Sequence, residues 1–196
     1  MRVAILKYGV GNVYSIKSAL ERLGASAYIT GDPWEAARGD AIILPGVGNM
    51  RALRDRLGSI RESMRMASEE GTPILGICLG MQLLYTRSEE DPETPGLGVV
   101  EGVVERIRAG KVPRIGWYKV YGGGELLDGV EDGSYFYFLH SYAAPFNPPA
   151  RSWTHAGARY AASIESHPWY GVQFHPERSG RLGRIVLWNW LRGARR

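Results

Sequence analysis

One cysteine, Cys78, stands in the run Gly76-Ile77-Cys78-Leu79-Gly80 and is the chain's only thiol. Far downstream, Gly171-Val172-Gln173-Phe174-His175-Pro176-Glu177 supplies an imidazole and a carboxylate two residues apart. A sulfur nucleophile, a base and an acid to orient that base are the parts of a covalent hydrolase. The apolar run ending at Ile77 reads as a strand and Leu79 opens a helix, so Cys78 falls on the turn between them. Glycines at minus two and plus two leave room for a sharp turn, the nucleophile-elbow pattern with Cys in place of Ser. A helix N-terminus behind the sulfur favours its thiolate form. The Leu79 N–H points to the same place and can hold an oxyanion. His175 follows the strand Gly171 to Phe174, at the strand edge where α/β sheets place their sites. Taken singly, each motif also fits a structural role, a buried cysteine or a stiff turn. The chemical reading rests on their occurring together.

Two further segments belong near this site. Pro45-Gly46-Val47-Gly48 cuts off an apolar strand and should lie beside the elbow. Peptides next to glycine rotate freely, so the N–H of Val47 or Gly48 can complete an oxyanion hole. Gln82 lies one helical turn past Cys78 and can face the same pocket. No cofactor is expected. One Cys and four dispersed histidines give no metal-ligand spacing, and Gly9-Val10-Gly11 lacks the third glycine of a dinucleotide fingerprint.

The elements that must carry these residues alternate. Val3 to Leu6, Ala41 to Leu44 and Pro73 to Ile77 read as short buried strands. Between them lie a helix with Ile16, Ala19, Leu20 and Leu23, stopped by Gly24, and a second from about Met50 to Glu70, stopped by Gly71. A third helix begins over Leu79 to Tyr85. Such alternation implies an α/β fold with a largely parallel open sheet and helices on both faces. Beyond about residue 96, Val99 to Ile107 and Tyr135 to Leu139 with Gly-rich turns suggest additional antiparallel strands. Arg181 to Leu191 is a closing helix. No repeat or linker interrupts the chain, so residues 1–196 read as a single domain.

The bulk properties fit a soluble globular protein. Hydrophobic residues make up 44% and charged residues 22% of the chain, ordinary for a globular protein. The net charge is +4, but the arginines are scattered except at the tail, which argues against nucleic acid as a partner. A lone cysteine rules out an intramolecular disulfide and suits a reducing compartment. The N-terminal apolar run meets Lys7 too soon for a signal peptide, and no run reaches membrane length. The expectation is a cytoplasmic protein with no membrane contact.

Cys78, His175 and Glu177 in these contexts resemble the class I (triad) glutamine amidotransferases. Within that family the chain looks like the glutaminase subunits of imidazole glycerol phosphate synthase, in histidine biosynthesis. The similarity rests on Tyr8 to Asn12, Leu44 to Gly48, Gly76 to Gln82, Ile115-Gly116-Trp117, Leu139 to Tyr142 and Gly171 to Gly180. It implies that Cys78 attacks the side-chain amide of glutamine, that His175 moves the protons and that Glu177 orients it. It further implies an oxyanion hole from Leu79 and the Gly46–Gly48 segment, which in this family is reoriented before the hole is complete. Gln82, Glu90, Ser141 and Tyr142 would grip the amino-acid end of glutamine. The implied partner is a (β/α)₈-barrel cyclase subunit, forming a heterodimer that makes imidazole glycerol phosphate and AICAR from the ammonia released. Arg114 to Tyr118 and Arg178 fall in the interface region, with Trp117, Tyr118 and Arg178 as the expected contacts and Trp117 as an aromatic anchor.

The chain departs from the family pattern at Lys7 (usually Asp), Arg114 (usually His), Tyr118 (usually Asn) and Arg178 (usually Lys). Two other classes share some features: a cysteine hydrolase or chaperone of the related α/β superfamily, which usually places its acid upstream of the nucleophile, and a catalytically silent binding subunit.

Overall fold

The computed structural model describes residues 1–9, 12–46 and 50–194. It opens with β1 (Arg2–Leu6), α1 (Val13–Glu21) and β2 (Ser26–Thr30), then α2 (Pro33–Ala36) and β3 (Ala41–Leu44). α3 (Leu57–Glu69), β4 (Ile74–Ile77) and α4 (Leu79–Leu83) complete the parallel half. Strands β5 (Tyr85–Ser88), β6 (Val100–Arg106), β7 (Arg114–Gly122), β8 (Ser134–His140) and β9 (Tyr142–Ala143) follow. The chain ends with β10 (Ala150–His155), β11 (Arg159–Ser166), β12 (Trp169–Val172) and α5 (Gly180–Gly193).

Nine strands form one sheet in the order β2-β1-β3-β4-β12-β11-β10-β7-β8. From β2 to β12 every pairing is parallel, and from β12 to β8 every pairing is antiparallel. β12 is therefore the seam, and the His-Pro-Glu turn issues from it next to the elbow that ends β4. A smaller sheet, β5-β6-β9, lies apart, with β5 and β6 parallel.

The central parallel strands β3 and β4 are buried and without a polar side chain at every position because both faces are covered. Alternate residues of β1 go to opposite cores: Val3 and Ile5 pack with α1 and α5, Ala4 and Leu6 with α2, α3 and the smaller sheet. In α3, Leu57, Ile60, Met64 and Ala67 are buried at helical spacing. α2, absent from the sequence reading, has a clear local cause: Asp32 accepts from Trp34 N at 2.9 Å and Pro33 sits at the first helical position. No helix among the described residues is long and apolar enough to cross a membrane.

Two helices differ from expectation. The single helix from Met50 to Glu70 is split into a 3₁₀ stretch, Met50–Arg56, and α3. At its start the Met50 N–H is spent on the Glu90 carboxylate. The helix opening at Leu79 stops at Leu83 because the Leu83 carbonyl accepts from Leu97 N at 2.7 Å and Tyr85 turns into β5. β2, β5, β7, β9, β10 and β11 are strands that the sequence did not announce.

Candidate active site

The turn between β4 and α4 holds Cys78 at φ 53° and ψ −106°, the one non-glycine residue with positive φ among the described residues. Such a conformation costs about 1–3 kcal/mol and persists only where the surroundings enforce it. Here Cys78 N donates to Val172 O of β12 at 2.7 Å, and Cys78 O accepts from Gln82 N at 3.0 Å. The flanking glycines explain themselves by close approach. A Cβ on Gly80 would lie 1.9 Å from Leu44 O, and one on Gly76 would lie 2.4 Å from Gly80 O. Gly46, at the end of β3, is pressed on the elbow in the same way, with a Cβ position 2.2 Å from Leu79 N. The sequence expectation that Pro45-Gly46 lies beside the elbow therefore holds. Val47 and Gly48, expected as oxyanion donors, lie outside the described residues. Tyr8, buried, donates its hydroxyl to Pro45 O and so fixes the start of that segment.

His175 and Glu177 are brought together with Cys78. Nδ1 of His175 and Oε1 of Glu177 are 2.9 Å apart, with side chains only 3% and 1% exposed. The turn is tied to β8 on both sides: His175 N donates to Tyr137 O at 2.8 Å, Ser179 Oγ donates to His175 O, and Tyr137 N donates to Ser179 Oγ. Nε2 of His175 is buried and carries no hydrogen bond among the described residues, so it is the nitrogen left for proton transfer. Burial pulls the His175 pKa down, but its neighbours Cys78 and Glu177 outweigh it and push the value up to about 10. In this resting arrangement the Cys78 thiol donates to Leu139 O at 3.5 Å and accepts from Gln173 Nε2 at 3.5 Å.

A pocket of about 290 Å³ opens on the sulfur, lined by Gly46, Cys78, Leu79, Gln82, Glu90, Pro113, Leu139, His140, Ser141 and Tyr142. All four residues expected to grip glutamine thus line it. Glu90 is half-buried, with its pKa raised by burial, and Oε2 accepts from Met50 N at 3.1 Å. Its loop is clamped by Arg54, which reaches both Asp91 oxygens at 3.0 Å, Glu93 at 3.1 Å and Thr94 Oγ1 at 3.1 Å. Gln82 is more committed than expected. Nε2 donates to Tyr142 O at 2.7 Å and to Gln173 Oε1 at 3.0 Å, so both amide hydrogens hold protein rather than ligand.

Sequence reasoning missed three buried residues here. Gln173 is 0% exposed and touches the sulfur. His140 donates Nδ1–H to Tyr142 O at 2.8 Å, and burial, with Arg114 and His175 nearby, lowers its pKa to about 4. Arg114, placed in the interface region by sequence, is instead 4% exposed, its guanidinium 3.9 Å over the Tyr118 ring. A signal existed only for Gln173, two residues before His175 in a segment that reads as a strand, although β12 itself ends at Val172.

Of the three expected partner-contact residues, Trp117 is 52% exposed and meets Tyr137 edge-on, and Arg178 lies 4.4 Å over the Tyr137 ring. Tyr118 does not join them. Side chains alternate along β7, so Tyr118 turns to the inner face, against Phe138 and Arg114.

The Glutamine amidotransferase class-I family model matches residues 4–190. Imidazole glycerol phosphate synthase subunit HisH of Pyrococcus furiosus is 43% identical, over 97% of this chain and 98% of its own length. The HisH subunit of Escherichia coli K12 is 42% identical, over 97% and 99%. Among solved structures, one described as a glutamine amidotransferase superposes with a TM-score of 0.74 at 23% identity, with 99% of each chain covered. A chain of the PurLQS structure from Thermotoga maritima gives 0.74 at 21% identity, with 98% of each covered. These structures show the shared fold, and the near full-length sequence matches show the kinship. The chain belongs to the class-I glutamine amidotransferase family.

Proposed function

We propose that the chain is the glutaminase subunit of imidazole glycerol phosphate synthase, acting as one catalytic domain over residues 1–196 in the cytoplasm. The observation that carries the chemistry is the strained elbow Cys78 sharing one site with the buried His175–Glu177 pair. Full-length similarity to HisH subunits supports the assignment to histidine biosynthesis.

In this reading glutamine enters the pocket with its ammonium at Glu90 and its backbone end at Ser141 and Tyr142. Cys78 gives its thiol proton to His175 Nε2, Sγ attacks the side-chain carbonyl carbon, and the C=O electron pair moves to oxygen. Leu79 N–H holds that oxyanion, with Val47 or Gly48 as the second donor. The tetrahedral adduct collapses as the C–N bond breaks and His175 Nε2–H protonates the leaving nitrogen, giving ammonia and a thioester. His175 Nε2 then takes a proton from water, the hydroxide adds to the thioester carbon, and Sγ leaves as glutamate forms. Glu177, through Nδ1, keeps the imidazole oriented and stabilises its protonated form throughout.

The ammonia passes to a (β/α)₈-barrel cyclase subunit. The docking patch is Trp117, Tyr137 and Arg178, an aromatic–arginine cluster of the kind that anchors interfaces. It abuts the triad through the His175 N to Tyr137 O bond. The test is Cys78→Ala in the complex with that cyclase. Glutamine-dependent product formation should vanish, because no second thiol exists, while ammonium salt restores it. Glutaminase activity near wild type in the variant refutes the assignment.

A further inference from the structure

Gln82 and Gln173 are the chain's only two glutamines. They are buried, bonded to each other, and their chain of bonds ends on the only cysteine. The orientation of both amides follows from one carbonyl. Tyr142 O can only accept, so the Gln82 atom 2.7 Å from it must be nitrogen. The second hydrogen of that nitrogen goes to Gln173, so the Gln173 atom 3.0 Å away must be oxygen. That leaves the Gln173 nitrogen facing Cys78 Sγ at 3.5 Å. Tyr142 O is itself held from the other side by His140 Nδ1–H.

A buried amide pair is costly unless every group is satisfied, and two apolar side chains would fill the same space without that demand. The array makes chemical sense if the sulfur carries negative charge. An N–H aimed at an anion is a stronger bond than one aimed at a neutral thiol. We propose that Gln173 is a catalytic residue that donates its side-chain N–H to the Cys78 thiolate, with Gln82 as the positioning residue that fixes its direction. The proposal deepens the glutaminase reading and rests on it.

The two roles open to Gln82 give different outcomes. If it only bound glutamine, substituting it would leave the sulfur unchanged when no glutamine is present. If it aims Gln173, Gln82→Glu alters the sulfur without touching it. A carboxylate at 82 can only accept, so Gln173 must turn its nitrogen toward 82 and its oxygen toward Sγ.

The experiment is alkylation of Cys78 by iodoacetamide in the folded, full chain at neutral pH without glutamine. One thiol makes the label site-specific, and the unfolded chains serve as the control for intrinsic reactivity. Gln173→Met, of similar volume and without a donor, should label about tenfold more slowly than wild type, the loss of one bond to a charged group. Gln82→Glu should slow labelling at least as much. Wild-type rates in both folded variants overturn the proposal. Should neither variant fold, the unsubstituted chain decides, labelled with ¹⁵N in its two glutamine side chains. One Gln173 amide proton should titrate together with Cys78, and this response should disappear in Cys78→Ala. Absence of any such titrating proton also overturns the proposal. Alkylation and NMR need no turnover, so failure of glutamine hydrolysis in the wild-type complex speaks against the function alone.

Discussion

Gly183 sits in the first turns of α5, on the face pressed against the turn that carries the triad acid. A Cβ placed there would lie 1.9 Å from Pro176 O, 2.7 Å from Pro176 C and 2.9 Å from Pro176 Cα. All three are backbone atoms of the residue between His175 and Glu177. By helix propensity alone, Gly183→Ala should stabilise the protein by about 0.5–1 kcal/mol. Packing reverses that sign. Moving the oxygen from 1.9 Å to an ordinary contact of at least 3.4 Å demands a displacement of about 1.5 Å between α5 and the turn. Overpacking of this kind costs about 1–3 kcal/mol, so the net expectation is a loss of about 1–2 kcal/mol and a lower Tm. The turn cannot shift without carrying the His175–Glu177 pair, and a misplacement of about 1 Å at such a site costs about 10²-fold in rate. Thermal unfolding and glutaminase turnover of the variant complex measure the two effects separately. A raised Tm with wild-type turnover would show that α5 yields freely, and that its contact with Pro176 does not hold the triad in place.

The triad itself predicts an ordering: His175→Asn should lose several orders of magnitude in kcat, and Glu177→Gln less, because the acid acts only through the imidazole; equal losses would assign Glu177 a direct role. Arg54→Ala frees the loop bearing Glu90, so KM for glutamine should rise about fivefold with kcat little changed; an unchanged KM removes the clamp from the binding account. His140 has a folded pKa of about 4 against an ordinary value near 6.5. Between those values the unfolded chain binds the extra proton, so the folded state loses about 3 kcal/mol as pH falls from 6.5 to 4 and nothing further below. His140→Asn, which can still donate to Tyr142 O, should lose stability less steeply over that window in urea melts, and an unaltered slope would mean His140 protonates freely in the fold.

The nucleophile was legible because its demands are local. A residue at φ 53° between a strand and a helix needs glycine on both sides, and that requirement is written within five positions of sequence. The His-Pro-Glu turn was legible for the same reason. What supports them was not, because its spacing exists only in three dimensions. Gln82 meets Gln173 across 91 positions, and Gln173 meets Cys78 across 95. The antiparallel half was opaque for another reason. In β7 the buried positions are taken by Arg114 and Val120 with Gly116 and Tyr118 between, a face too polar and too small to read as apolar alternation. Missing that strand also hid the parity that sends Trp117 and Tyr118 to opposite faces.

Parity also explains two departures from the family pattern at once. Arg114 and Tyr118 are four residues apart on one strand and share its inner face. The guanidinium lies over the Tyr118 ring at 3.9 Å and near Phe138 at 5.4 Å, with Nη2 on Thr154 Oγ1 at 2.9 Å. Among the described residues no carboxylate pairs with it, and Nε and Nη1 carry no bond. Burial accordingly holds its pKa below the usual guanidinium range. A buried cation of this kind is tolerable chiefly through the aromatic faces around it, since delocalised, weakly hydrated guanidinium stacks where an ammonium would not. An Asn at 118 would leave Arg114 without its main partner, and a His at 114 would leave the Tyr118 ring partly uncovered. The two departures are thus one exchange of packing partners inside the sheet face. It adds a positive charge beside His140, which helps hold that imidazole neutral. At the outer face the change that remains is Arg178, which keeps the positive charge of the usual lysine and adds a planar group to stack on Tyr137.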